Sequence, residues 1–134
     1  MMTRRTRQCS EAVRVGRLKK ATEFHDAAVL IEDDAPNAAV DLFVDAGIAA
    51  ADAICCCRLG VYSAGESHNE AIALLEKAER DVARHLQTLL NLKSKVAYSH
   101  QPVTTDDRKK AGRAASKLVE VARRVAQPET RQGG

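Results

Sequence analysis

Cys55, Cys56 and Cys57 stand side by side in this sequence, with Cys9 far upstream. Thiolates bind soft metals and attack electrophiles, so a run of three raises both possibilities. The spacing opposes a metal. Consecutive helix positions point about 100° apart, and three neighbours cannot all face one ion. No Cys-x-x-Cys pair accompanies them. The run is expected to supply small apolar core residues, with redox behaviour left open for one exposed thiol. His25, His68 and His85 have no histidine or carboxylate partner at a ligand spacing, so no metal and no cofactor is expected. His68, at a helix start, should be solvated. Arg108, Lys109, Lys110, Arg113 and Lys117 cluster on the last helical segment, and Arg4, Arg5 and Arg7 lie near the N-terminus. Such charges usually make a solvated face. Specific DNA readout has no helix-turn-helix signature here, and four aromatic residues give little surface for stacking bases.

The elements that must position these groups are helical. The chain has 134 residues, 45% of them hydrophobic, which suits one domain and excludes a disordered tail. Its apolar residues are mostly Ala, Val, Leu and Ile, whose small or flexible side chains let helices approach closely. A tail is expected over 1–9. A helix follows from Ser10–Glu11 to about Asp33, with Leu18, Ala21, Ala28 and Ile31 at helical spacing and Gly16 weakening its first turns. Asp33-Asp34-Ala35-Pro36 breaks the pattern and restarts it, because proline suits a first helical position. The second helix is the most apolar, so it should lie at the centre, with Gly60 as its stop.

A loop is expected over 61–66. Ser67 and Glu70 have capping-box spacing and open a short helix through Ala78. The next helix runs from about Glu79 to Tyr98, its apolar stripe formed by Val82, Leu86, Leu89, Leu90 and Val96. Pro102 marks a turn. The last helix starts near Thr105, with Asp106 and Asp107 at its positive end and Arg123 and Arg124 at its negative end. Pro128 should stop it, leaving a tail over 128–134. The result is an all-α antiparallel bundle of four long helices and one short one, filling 10–127. A net charge of +3 neither demands nor excludes an anionic partner. The segment Ala46 to Cys57 is too short to span a bilayer and no secretory pattern follows the basic start, so a cytoplasmic protein away from membranes is expected. The four cysteines, which do not resemble a secreted disulfide framework, agree.

One stretch carries more. Residues 67–126 read His68-Asn-Glu-Ala-Ile-Ala-Leu-Leu75, then Leu86-Gln-Thr-Leu-Leu-Asn-Leu-Lys93-Ser-Lys-Val-Ala-Tyr98, a turn with Val103-Thr104, and an alanine-rich helix. This half of the chain resembles the second half of HEPN domains (higher eukaryotes and prokaryotes nucleotide-binding). Many members of that family are metal-independent RNase toxins that dimerise around an Arg-x(4–6)-His motif. The arginine sits beside the scissile phosphate and the imidazole moves a proton.

The motif is altered in this sequence. Lys93 occupies the arginine position and Tyr98 the histidine position. Lysine lacks the guanidinium fork, and a phenol with a pKa near 10 is a poor base at neutral pH. His100 lies within motif spacing of Lys93 and of Lys95. A helix continued to residue 100 would bring Lys93 and His100 within about 20° of each other. Arg80 and His85 spell the motif literally, but before the leucine-rich stretch. The resemblance therefore implies a non-catalytic protein-binding module, an antitoxin or regulatory partner of a nucleotidyltransferase-type toxin, with homodimerisation in keeping with the family. The alternatives are an RNase toxin acting on RNA through Lys93, Lys95, Tyr98, His100, Arg80 or His85, and a helical adaptor for another partner.

Overall fold

The computed structural model describes residues 5–65 and 67–127. Its elements are β1 (Thr6–Gln8), α1 (Glu11–Ile31), α2 (Pro36–Leu59), β2 (Val61–Ser63), α3 (His68–Ala78), a 3-10 turn (Arg80–Val82), α4 (Ala83–Tyr98) and α5 (Thr105–Ala126). The architecture is the all-α bundle that the periodicity indicated, four long helices and one short, with a two-stranded ribbon added at one end.

Capping chemistry sets most of the boundaries. The hydroxyls of Ser10, Ser67 and Thr104 accept hydrogen bonds from the backbone N–H groups of Val13, Glu70 and Asp107, satisfying donors that a helix start leaves open. Pro36 begins α2. Gly60 ends it in the left-handed conformation, φ 76°, where a Cβ would be strained. Between α3 and α4 the backbone of Glu79 leaves helical geometry, so α4 proper starts at Ala83, four residues later than the periodicity suggested. The break lets Leu75 of α3 and Val82 beyond it both reach the core, and Arg58 Nε bonds Glu79 Oε1 at 3.2 Å to tie it to the end of α2.

Helix α2 is the centre. It buries 13 residues, among them Phe43, Val44 and Ile54, and packs against α1, α3, α4, α5 and β2. Burying side chains of that size stabilises by roughly 1.5–3 kcal/mol each. Helix α1 runs antiparallel to α2: Arg17 meets Asp52 toward one end, and Ile31 leads through a turn to Pro36 at the other. Alanines 21 and 28 of α1 are fully buried against it, allowing close approach. Gly47 marks the tightest crossing. A Cβ there would collide with Leu89 of α4 and come within 3.3 Å of Leu118 of α5. Helix α5 lies antiparallel to α1, with Arg108 on Glu32 at one end and Ser116 on His25 further along.

The N-terminal segment differs from the tail expected over 1–9. Residues 6–8 pair antiparallel with β2, Arg7 opposite Tyr62, and Cys9 forms a disulfide with Cys56 on α2, Cα to Cα 5.6 Å. Cys9 N–H also donates to Gly60 O, and Ala64 N–H to Arg5 O, each at 3.0 Å. The loop expected over 61–66 is likewise corrected to a strand at Val61–Ser63. Thr6, Arg7 and Gln8 are all exposed, so the pairing rests on backbone bonds and the covalent link rather than on buried side chains. The rest of the first tail, the whole tail over 128–134 including the stop at Pro128, and Glu66 lie outside the described residues.

Candidate functional site

A cavity of about 380 Å³ opens between α2, the segment after β2, the start of α3, and α4. Helical periodicity aims its walls. Ile48, Ala51, Asp52 and Cys55 form one stripe of α2, and Leu86, Leu90 and Lys93 form one stripe of α4. Ser63, Ser67, His68 and Ala71 close the remaining side. The lining is apolar with a few converging polar groups, the usual constitution of a small-molecule site.

Those polar groups are unusual. Burial pushes the Asp52 carboxyl up to about 6, against the pull of Arg17, whose Nε lies 3.7 Å from Oδ2. Arg17 in turn stacks over the Tyr62 ring, 5.2 Å from its centre. Burial, helped by Asp52, pushes the Cys55 thiol up to about 12, so Cys55 is a protonated wall residue rather than a nucleophile. Ser63 Oγ is buried with no hydrogen-bond partner among the described residues.

Of the six candidate RNase residues, Lys93 alone lines this cavity. Lys95, two positions on, faces away, as a helical rotation of about 200° requires. Its Nζ bonds Asp107 Oδ2 of α5 at 2.9 Å, which makes it a helix-to-helix strut. Tyr98 is the last residue of α4 and 90% exposed. His100 is exposed in the turn beyond, so the helical continuation that would align it with Lys93 stops two residues short. Arg80, in the 3-10 turn, shares an open groove with Glu76, Asp81 and Arg84. His85 is half-buried on α4, and burial, then Arg84 and Lys117, hold its pKa below the ordinary value. No hydrogen bond or ion pair joins Lys93 or Lys95 to His100, or Arg80 to His85, among the described residues.

The other histidines and cysteines have definite places. His25 Nε2 lies 2.8 Å from Ser116 Oγ, and its ring packs edge-on to Phe43. Cys55 is buried as expected, Cys57 is only half-buried, and Cys56 is half of a disulfide rather than a simple core residue. No group of three His, Cys, Asp or Glu among the described residues is arranged to hold a metal ion. No helix among them is long and apolar enough to cross a membrane.

A second surface lies along α5. Gly112 lies over the Phe43 ring, where a Cβ would make ordinary contact at 3.5 Å, and a shallow groove runs beside it. Lys109, Arg113 and Lys117 stand along it, and Val29 of α1 forms the opposite lip. Arg108 is engaged by Glu32 at 2.9 Å and Asp33 at 3.7 Å. Lys109 and Arg113 enter no ion pair among the described residues. Val29 is 48% exposed.

Asp52 interrupts the most apolar segment of the sequence, Ala46 to Cys57. A carboxylate in such a helix needs a cation or a cavity, and that was the available signal. Ser63 gave none. Compared with known proteins, the chain matches no family model, no curated protein and no solved structure. The HEPN resemblance rests on the residues quoted for it.

Proposed function

We propose that this chain is a non-catalytic helical binding module that holds a protein partner on the face shared by α1 and α5. The observation that carries this is Val29, 48% exposed on the lip of a groove edged by Lys109, Arg113 and Lys117. An apolar side chain displayed beside Lys109 and Arg113, which enter no ion pair among the described residues, suits a partner segment with an apolar face and acidic flanks. The family resemblance supplies the partner's class, a nucleotidyltransferase-type toxin, and makes this chain its antitoxin or regulatory subunit. Engagement of Lys95 with Asp107, and the end of α4 before His100, support a binding role over an RNase. Homodimerisation and a cytoplasmic setting belong to the same proposal. In the cytoplasm, the Cys9–Cys56 bond would form under oxidation.

The test is recovery of the tagged chain from its native cells, followed by reconstitution with the recovered protein. A stoichiometric nucleotidyltransferase-like partner is expected. Its binding should weaken with salt and be lost in Val29→Asp and in the double variant Lys109→Glu/Arg113→Glu. Retention by both variants overturns the proposed face. Recovery of the chain alone with RNA fragments, together with growth arrest relieved by His100→Ala or His85→Ala, replaces the binding role with the RNase.

A further inference from the structure

We propose that the cavity between α2, α3 and α4 is a binding site for a small amphipathic organic anion, its acidic group held by Lys93 and the start of α3, its apolar body by Ile48, Leu86 and Leu90. This site is separate from the α1–α5 face, and the proposal does not depend on the partner-binding role.

Four observations converge. The volume, about 380 Å³, lies within the range of about 300–1,000 Å³ common to small-molecule sites. The floor is apolar and comes from facing stripes of α2 and α4. The positive charge is placed at the edge: Lys93 stands on one side, and on the other α3 begins at His68, directing the backbone N–H groups of its first turn outward. Glu70 N–H is already taken by Ser67 Oγ, which leaves those of His68 and Asn69 outside the cap bond. Finally, Ser63 Oγ is buried on the cavity wall without a hydrogen-bond partner among the described residues, so a polar atom of the ligand would complete it.

Among the described residues Asp52 is the one acidic side chain in the lining, and it works for selectivity. Arg17 lies behind it and offsets part of its charge. An acidic group placed deep would face this carboxyl, so the ligand must enter body first with its anion at the mouth. A hydrogen-bond donor on the body, an N–H or O–H, would meet Asp52 and Ser63. The ligand class is therefore an aromatic or branched aliphatic acid with one internal donor.

8-Anilinonaphthalene-1-sulfonate is the probe: it has an aromatic body and one sulfonate, and its N–H, held beside the sulfonate, stays at the mouth, so it tests the anion and body contacts. The full-length oxidised chain is titrated with it, following fluorescence and calorimetric stoichiometry. One saturable site per chain is expected. Lys93→Gln should weaken it by about fivefold or more, as loss of one charge contact does. Ala71→Leu, which fills the α3 wall, should abolish it. Lys77→Gln, with the same change of net charge outside the cavity, should leave it intact. Absence of saturable binding overturns the proposal, as does an equal loss in Lys93→Gln and Lys77→Gln. If Ala71→Leu fails to fold by circular dichroism, the comparison of the two lysine variants decides, because both side chains are exposed.

Discussion

Lys95 Nζ lies 2.9 Å from Asp107 Oδ2, joining the last turn of α4 to the first turn of α5 across the proline-containing turn. The hydrogen bond from Lys95, with those from Thr104, holds the Asp107 carboxyl below its ordinary pKa, while burial works against it. A carboxylate with a depressed folded pKa stabilises above its unfolded value and loses that contribution as pH falls. Asp107→Asn should therefore cost about 1 kcal/mol at pH 7. Lys95→Met should cost less, because the contacts with Thr104 survive. Thermal melts across pH check both: the gap between wild type and Asp107→Asn should close as the pH falls below about 4.

Two glycines should respond oppositely to alanine. At Gly47 the new methyl would press on the fully buried Leu89 and approach Leu118. Gly47→Ala should cost about 1–3 kcal/mol by overpacking, outweighing its gain in helix propensity. At Gly16, in a continuous stretch of α1, a Cβ meets nothing within 4 Å. Gly16→Ala should stabilise by roughly 0.5–1 kcal/mol. Urea unfolding of the two variants checks the pair.

Asp52 has the opposite pH behaviour to Asp107. Burial raises its folded pKa to about 6, so the folded chain binds this proton more tightly than the unfolded chain does. The fold gains stability as pH falls from about 6 to 4, and bears the charged carboxylate above that window. Asp52→Asn should thus be more stable than wild type at pH 8 by about 1–2 kcal/mol, after allowing for the lost Arg17 partner. The difference should vanish near pH 4. Equal stability at pH 8 would mean that Arg17 fully compensates the burial.

The Cys9–Cys56 bond closes a loop across a sequence separation of 47 residues. Restricting an unfolded chain in this way stabilises the fold by about 2–4 kcal/mol. Reduction, or Cys9→Ser, should lower the urea midpoint accordingly. Amide exchange should rise first at Arg7 and Gln8, whose strand has no buried side chain to hold it. The same release should loosen Ser63, since β1 is the one strand among the described residues paired with β2. Unchanged exchange at β1 after reduction would show that the backbone ladder holds the strand alone.

Sequence order made the helices legible wherever the signal was local. Ser67 with Glu70, Pro36, Gly60 and the acidic start of α5 each act within one turn, and each falls where its chemistry placed it. The central position of α2 followed from its apolar content. The ribbon was illegible because three-residue strands with exposed side chains carry no alternation to detect. The disulfide was hidden for another reason: nothing near Cys9 specifies Cys56 over Cys55 or Cys57, and the choice comes from which face α2 turns toward the N-terminus. The cavity joins residues from Ile48 to Lys93, so its composition emerges only after the helices pack. His100 shows the converse failure, in which spacing in sequence was extended along a helix that ends at Tyr98.

The bond between Cys9 and Cys56 also changes what the chain is as a covalent object. It makes a macrocycle containing all of α1 and most of α2, whose outermost point is the turn at Asp33 and Asp34, both exposed. A protease that cuts this turn opens the ring without dividing the molecule. The two fragments remain joined until a reductant arrives, and the first helix can leave the bundle only after two separate chemical events, one hydrolytic and one reductive.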